Sequence, residues 1–205
     1  MKKLLAMLTA MLLLPTAVAF AAEAPEVLIE RLSNEVLERI RNDKDLQAGD
    51  FAKVSGFVDT IVMPHVDFKR MTALAVGRNW RSATPEQQQR LMNEFRVLLI
   101  RTYSGALSGV KDRSVRMKPM RSAPEDTQVI VRSQVIQPRA DPVQLDYRLE
   151  KTDGAWKIYD VNVLGVWLVE TYRNQFAQEV SAGGIDGLIK SLSEKNSSSA
   201  PQSKS

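Results

Sequence analysis

"WKIYDVNVLGVWLVETYRNQF", Trp156 to Phe176, changes its period in the middle. From Trp156 to Val163, apolar and polar residues alternate as in a half-buried strand. From Trp167 onward, Leu168, Tyr172 and Phe176 recur at helical spacing, with Glu170 and Arg173 off the stripe. Between the two lies Val161-Asn162-Val163-Leu164-Gly165-Val166-Trp167-Leu168, nearly all apolar and free of the Ser, Cys or His that marks a catalytic turn. Gly165 is where the chain can turn. A strand that runs straight into an amphipathic helix lays helix against sheet, and the class is α+β.

Upstream, the period of two continues. Val129 to Ile136 reads as a strand, and Asp141-Pro142 then turns the chain. Val143, Leu145, Tyr147 and Leu149 alternate with Gln144, Asp146, Arg148 and Glu150, and Asp153-Gly154 is a hairpin signal leading to Trp156. Residues 114–120 are a candidate edge strand, a position that tolerates Pro119. The expected sheet is therefore antiparallel and twisted, of about four strands, with helices packed on one face.

The helices flank it. Val27, Leu28, Leu32, Val36 and Ile40 follow Pro25-Glu26 at helical spacing. A second apolar stretch, Phe57 to Met63, ends at Pro64, and Asp67 can cap a short helix closed by Gly77. Thr84-Pro85-Glu86-Gln87 combines an N-cap, a proline at the first helical position and the Gln of a capping box. The helix it starts carries Leu91, Phe95, Leu98, Leu99, Thr102 and Leu107 on one face, with Tyr103 beside them. Beyond Phe176, Gly183-Gly184 ends one helix, and Ile185, Leu188, Ile189 and Leu192 form a short terminal one.

The chain opens with Lys2-Lys3, an apolar run from Leu4 to Leu14, and a small-residue stretch ending Ala19-Phe20-Ala21-Ala22. That reads as a secretory signal peptide, residues 1–21, too short to span a bilayer. Residues 22–193 are expected to form a single α+β domain, and the Ser- and Lys-rich residues 194–205 a disordered tail. No Cys follows the signal, so neither a lipid anchor nor a disulfide is available, and stability must come from an apolar core. Lys2 and Lys3 leave with the signal, so 28 basic residues become 26, interspersed with 24 acidic ones. There is no basic block of the kind that nucleic-acid binding requires.

Catalytic chemistry is thin. His65 is the only histidine, so neither a zinc site of ordinary ligands nor a second base is available. Gly184-Ile185-Asp186-Gly187-Leu188-Ile189-Lys190-Ser191 lacks the Gly that must precede Lys in a phosphate loop. Asp146, Asp160 and Glu170 are carboxylates that could meet for acid-base work, although Asp146 alternates onto the polar face and Asp160 looks like a strand-end or bulge residue. No catalytic residues are assigned.

Three stretches carry a family likeness. They are Pro64-His65-Val66-Asp67-Phe68 leading to Leu74 through Arg81, Ala83 through Gln87 with Glu94 through Tyr103, and Trp156 through Phe176. Together they resemble the exported toluene-tolerance family, the periplasmic phospholipid carriers of the Mla (maintenance of lipid asymmetry) system. Proteins similar to this one often have Ser where Trp167 stands, so the start of the following helix must rely on packing or on another partner. The resemblance implies an apolar pocket between sheet and helices holding a diacyl phospholipid as cargo, with no cofactor. It also implies two partners: an outer-membrane lipoprotein-porin complex, and an inner-membrane ABC transporter whose MCE-domain ring receives or supplies lipid.

The physics of such a carrier is simple. Moving a phospholipid through water exposes about 30 methylenes, on the order of 24 kcal/mol, which the carrier must replace with its own apolar surface. An apolar pocket of about 1,000 Å³ is expected, near the top of the ordinary ligand-site range. Candidate lining residues are Phe95, Leu98, Leu99 and Tyr103 from the long helix, and Val129, Val131, Val135, Leu145, Tyr147 and Leu149 from the sheet. Val163, Leu168 and Tyr172 continue that wall through the opening stretch. Arg78, Arg81 and Arg101 are candidate headgroup or partner contacts. Periodicity alone leaves open a packed core, a protein-binding groove of chaperone type, or a small carboxylate enzyme on a similar scaffold.

Overall fold

The computed structural model describes residues 23–198, apart from 108–109, 124 and 139; the expected signal peptide and residues 199–205 lie outside them. Among the described residues, five strands run in the order β1 (Ser114–Met117), β2 (Gln128–Ile136), β3 (Val143–Thr152), β4 (Ala155–Val163) and β5 (Val166–Trp167), each antiparallel to the next. The fifth, two residues long, is one more than the alternation predicts.

Register keeps the apolar set on one face. Val131 lies opposite Tyr147 and Tyr147 opposite Val161; Val129 lies opposite Leu149 and Leu149 opposite Ile158. Strict alternation would put Ile158 and Val161 on opposite faces. A bulge at Tyr159 adds the residue that brings both to the same side, and its twin effect is to send Asp160 to the other face, opposite Arg148. The hairpin into β5 is the two-residue turn Leu164-Gly165, with φ of +54° and +90°. Gly165 adopts that angle freely, while Leu164 is held there by the pairing of Val163 with Val166 and by its amide bond to the Gln144 carbonyl.

Among the described residues there are six α-helices, α1 (Pro25–Asn42), α2 (Lys44–Ala48), α3 (Phe51–Phe57), α4 (Phe68–Val76), α5 (Pro85–Tyr103) and α6 (Leu168–Ser198), of which α1, α4 and α6 pack on the sheet. The Thr84–Gln87 capping box opens α5 as read from the sequence. α3 continues into a π-helical turn, Val58–Val62, and a 3₁₀ turn, Met63–His65, which docks on the free edge of β4 through an Asp67 amide bond to the Ile158 carbonyl. α6 breaks at Gly184, whose φ of +67° no helix allows, so the expected stop at Gly183-Gly184 is a kink between two helical segments. The second segment runs on to Ser198, where Asn196 is buried and donates to the Glu94 backbone and side-chain oxygens. Residues 194–198 are thus helix rather than tail, held by contact with α5.

The core has three parts. Phe95 of α5 meets the Tyr172 and Phe176 rings edge-on, at 4.9 and 5.2 Å between centroids, and stacks on Phe68 of α4. Leu28, Ile29 and Leu32 of α1 lie on Val131, Leu149 and Ile158 of the sheet. Leu37 and Ile40 turn instead toward Val54 of α3 and Ile100 of α5. Val27, expected on the buried stripe of α1, faces solvent, and Ile29 takes its place.

Candidate functional site

Two apolar chambers occupy the space between these core parts. The first, about 200 Å³, lies between α1, through Ile29, Leu32 and Val36, and the sheet, through Val135, Leu145 and Tyr147. The second, about 250 Å³, lies between Val54, Phe57 and Val58 on one side and Leu99, Tyr103 and Leu107 on the other. Val36 and Val62 line both, so the chambers adjoin at these two side chains.

Ser33 and Tyr147 are the polar side chains of the first chamber. Ser133 of β2, beside Tyr147, donates to the Leu145 carbonyl at 2.6 Å. Burial pushes the Tyr147 phenol pKa up to about 12, against the opposing pull of the nearby Ser33 and Ser133 hydroxyls. The group is neutral at any physiological pH.

Five of the expected lining residues do line the chambers: Leu99, Tyr103, Val135, Leu145 and Tyr147. Phe95, Leu98, Val163, Leu168 and Tyr172 lie instead in or against the aromatic core. Val129, Val131 and Leu149 are packed under α1. Within Trp156–Phe176, expected to join two lining surfaces, Val161 lines a chamber, while Leu168, Tyr172 and Phe176 pack around Phe95. What the sequence reading missed is the contribution of α1 and of the π-helical turn. Their apolar stripes were legible; which neighbour they face was not.

The missing cap on α6 is supplied by Asp160. Its carboxylate accepts the Val169 amide at 3.0 Å and the Val161 amide at 2.9 Å, and pairs with Arg148 at 2.9 Å. Burial holds this carboxyl above its ordinary pKa despite those partners. The Arg148 guanidinium lies over the Trp167 ring, 3.8 Å from its centroid. Asp146 accepts from Gln144 at 2.7 Å and Glu170 is exposed; none of the three carboxylates lines either chamber. His65 is held below its ordinary pKa, first by burial and then by Arg31 and Lys157. The residues 184–191 that superficially resemble a phosphate loop are kink and helix, with Leu188 and Ile189 buried. Arg101 stacks on Phe51, and Arg78 lines a separate surface cleft with Arg173. Among the described residues, no helix is long and apolar enough to cross a membrane.

A solved structure shares this architecture, and two curated relatives share the sequence. A phospholipid-binding protein from Ralstonia solanacearum, solved in complex with a phospholipid, superposes with a TM-score of 0.82 at 47% identity, over 86% of this chain and 98% of that one. The intermembrane phospholipid transport system binding protein MlaC of Haemophilus influenzae is 23% identical over 187 residues, 90% of this chain and 87% of its own. The toluene tolerance protein ttg2D of Pseudomonas putida is 26% identical over 167 residues, 81% and 77% of the two chains. The family model for the MlaC protein matches residues 30–194, and the chain belongs to the MlaC family.

Proposed function

We propose that this protein is a phospholipid carrier that takes its cargo into the two chambers with the acyl chains innermost. The observation that carries this reading is the pair of adjoining apolar spaces joined at Val36 and Val62, in a fold shared with a protein solved with phospholipid bound. Aliphatic walls replace the burial that an acyl chain loses on leaving a bilayer, and the hydroxyls among them, Ser33, Ser104, Tyr103 and Tyr147, share the lining with no histidine or carboxylate.

The chambers fall short of the expected 1,000 Å³, so a diacyl cargo must part their walls. α1 is the wall laid on the sheet, and its Ile29, Leu32 and Val36 contacts are what it must give up. In the cell, the protein shuttles phospholipid through the periplasm between an outer-membrane lipoprotein-porin complex and an inner-membrane ABC transporter with an MCE-domain ring, maintaining outer-membrane asymmetry. The signal-like residues 1–21 and the family support that setting.

The test is extraction and transfer. Protein purified from its exporting cell is denatured in organic solvent and the extract analysed by mass spectrometry, and labelled phospholipid is followed between two vesicle populations. The reading predicts roughly one phospholipid per chain and protein-dependent transfer. Bound peptide, or no lipid and no transfer, overturns it.

A further inference from the structure

The cleft that holds Arg78 and Arg173, about 390 Å³, lies between the end of α4 and the first segment of α6. It shares no lining residue with either chamber, so it stands apart from the cargo space.

The sequence builds it from two sides. Gly77, with φ of +67°, closes α4 and turns the chain into a 3₁₀ helix, Gly77–Ser82, whose Arg78 and Asn79 form one wall. On α6, Arg173, Ala177 and Ser181 recur every four residues, so one stripe of the helix forms the other wall. Ala177 stands in the middle of that stripe, and its single methyl leaves the space open.

Two guanidiniums therefore share one concavity. The Arg173 Nε donates to the Leu74 carbonyl at 2.9 Å, which fixes that guanidinium and leaves its two Nη groups as donors. Among the described residues neither arginine has an ion pair. The carboxylates near them in sequence lie outside the lining: Glu179 pairs with Lys195 at 3.2 Å, and Glu170 is exposed. The walls thus hold two cations and no carboxylate.

We propose that this cleft binds a small anion with two oxyanionic groups, a dicarboxylate or a diphosphate, one group to each guanidinium. Like charges held in one concavity repel, and a dianion replaces that repulsion with two charge-assisted contacts. Asn79 and Ser181 add neutral donors beside them. The space falls in the ordinary ligand-site range of about 300–1,000 Å³, with room for more than one oxyanionic group.

The test titrates the full protein with succinate and with pyrophosphate in chloride buffer, by calorimetry. Acetate and inorganic phosphate serve as the single-group controls. One of the two dianions is expected to bind at about one per chain, at least about tenfold tighter than its control. Amide NMR shifts should fall on Gly77, Arg78 and Asn79 and on α6 from Arg173 to Ser181. Tighter succinate makes this a dicarboxylate site, and tighter pyrophosphate a diphosphate site. Arg78→Gln should lower the affinity about tenfold, the scale of one lost charge-assisted contact. Ala177→Trp keeps both arginines and fills the space, and should lower it at least as far. Both positions are exposed, and the phospholipid content of either variant should equal that of the wild type. Dianions bound no more tightly than the controls, shifts centred elsewhere, or affinity unchanged in both variants overturns the site. A matching loss of phospholipid would make the cleft part of the cargo space and overturn it too. A wild type without phospholipid would sink the carrier reading and leave the dianion result to stand or fall by itself.

Discussion

Asp160 caps a helix it does not belong to: its carboxylate accepts the Val169 amide at 3.0 Å, across the Leu164-Gly165 turn. The helix start at Trp167-Leu168 has no hydroxyl or carboxamide of its own, and the bulge at Tyr159 aims Asp160 at the vacant amide. Arg148 completes the arrangement from the opposite strand.

Asp160→Ala removes the cap and leaves Arg148 without its carboxylate. The expected loss is about 2–3 kcal/mol, below that for a fully buried pair because Arg148 reaches solvent. Urea unfolding should show a lower midpoint with an unchanged slope, and Asp160→Asn, which keeps an acceptor, should lose less. A midpoint equal to the wild type contradicts the capping role.

Tyr147→Phe tests the buried phenol hydroxyl between α1 and the sheet. The variant should lose about 1 kcal/mol at neutral pH. The folded phenol titrates near 12 and the unfolded one near 10, so the folded state binds the proton more tightly. The tyrosine's contribution is thus complete below about pH 10 and declines as pH rises toward 12. The difference in urea midpoint between wild type and variant should shrink over that window, and a constant difference counts against the assignment.

Phe95→Ala separates core from site. Phe95 is fully buried among Phe68, Tyr172 and Phe176, so truncation should cost about 3–5 kcal/mol. Lipid bound per folded chain should not change, because the ring lies outside both chambers. A variant that is stable but empty would return Phe95 to the binding surface.

The sequence made some of this legible and hid the rest for physical reasons. Capping at Thr84, the Asp153-Gly154 hairpin and the apolar faces of β2 and β3 depend on neighbours in the chain, and they were readable there. Leu99 and Phe95 sit four residues apart on one stripe of α5, yet one meets a chamber and the other a packed ring cluster. Periodicity reports the inward direction; whether that interior is filled depends on elements distant in the sequence. Val36 and Val62 were missed for the same reason, since each borders a chamber only because α1 crosses the π-helical turn. Asp160 read as a strand-end or bulge residue and pairs with Arg148 next to the bulge at Tyr159, while its partner nine positions later was not legible.

A lock on α1 tests the opening step. The chain has no cysteine, so a single engineered pair between α1 and β1, at Cα spacing of about 5–6 Å, meets no competing thiol. Oxidised protein should exchange lipid with vesicles more than about tenfold more slowly than reduced protein. Equal rates in the two states would mean that α1 is not the wall that moves.

Val36 borders both chambers, and native mass spectrometry of Val36→Trp beside the wild type, each taken from exporting cells, tests the carrier account most directly. The account predicts about one phospholipid on each wild-type chain and a folded variant that is largely empty. A wild type without phospholipid, or a folded variant as fully loaded as the wild type, contradicts it.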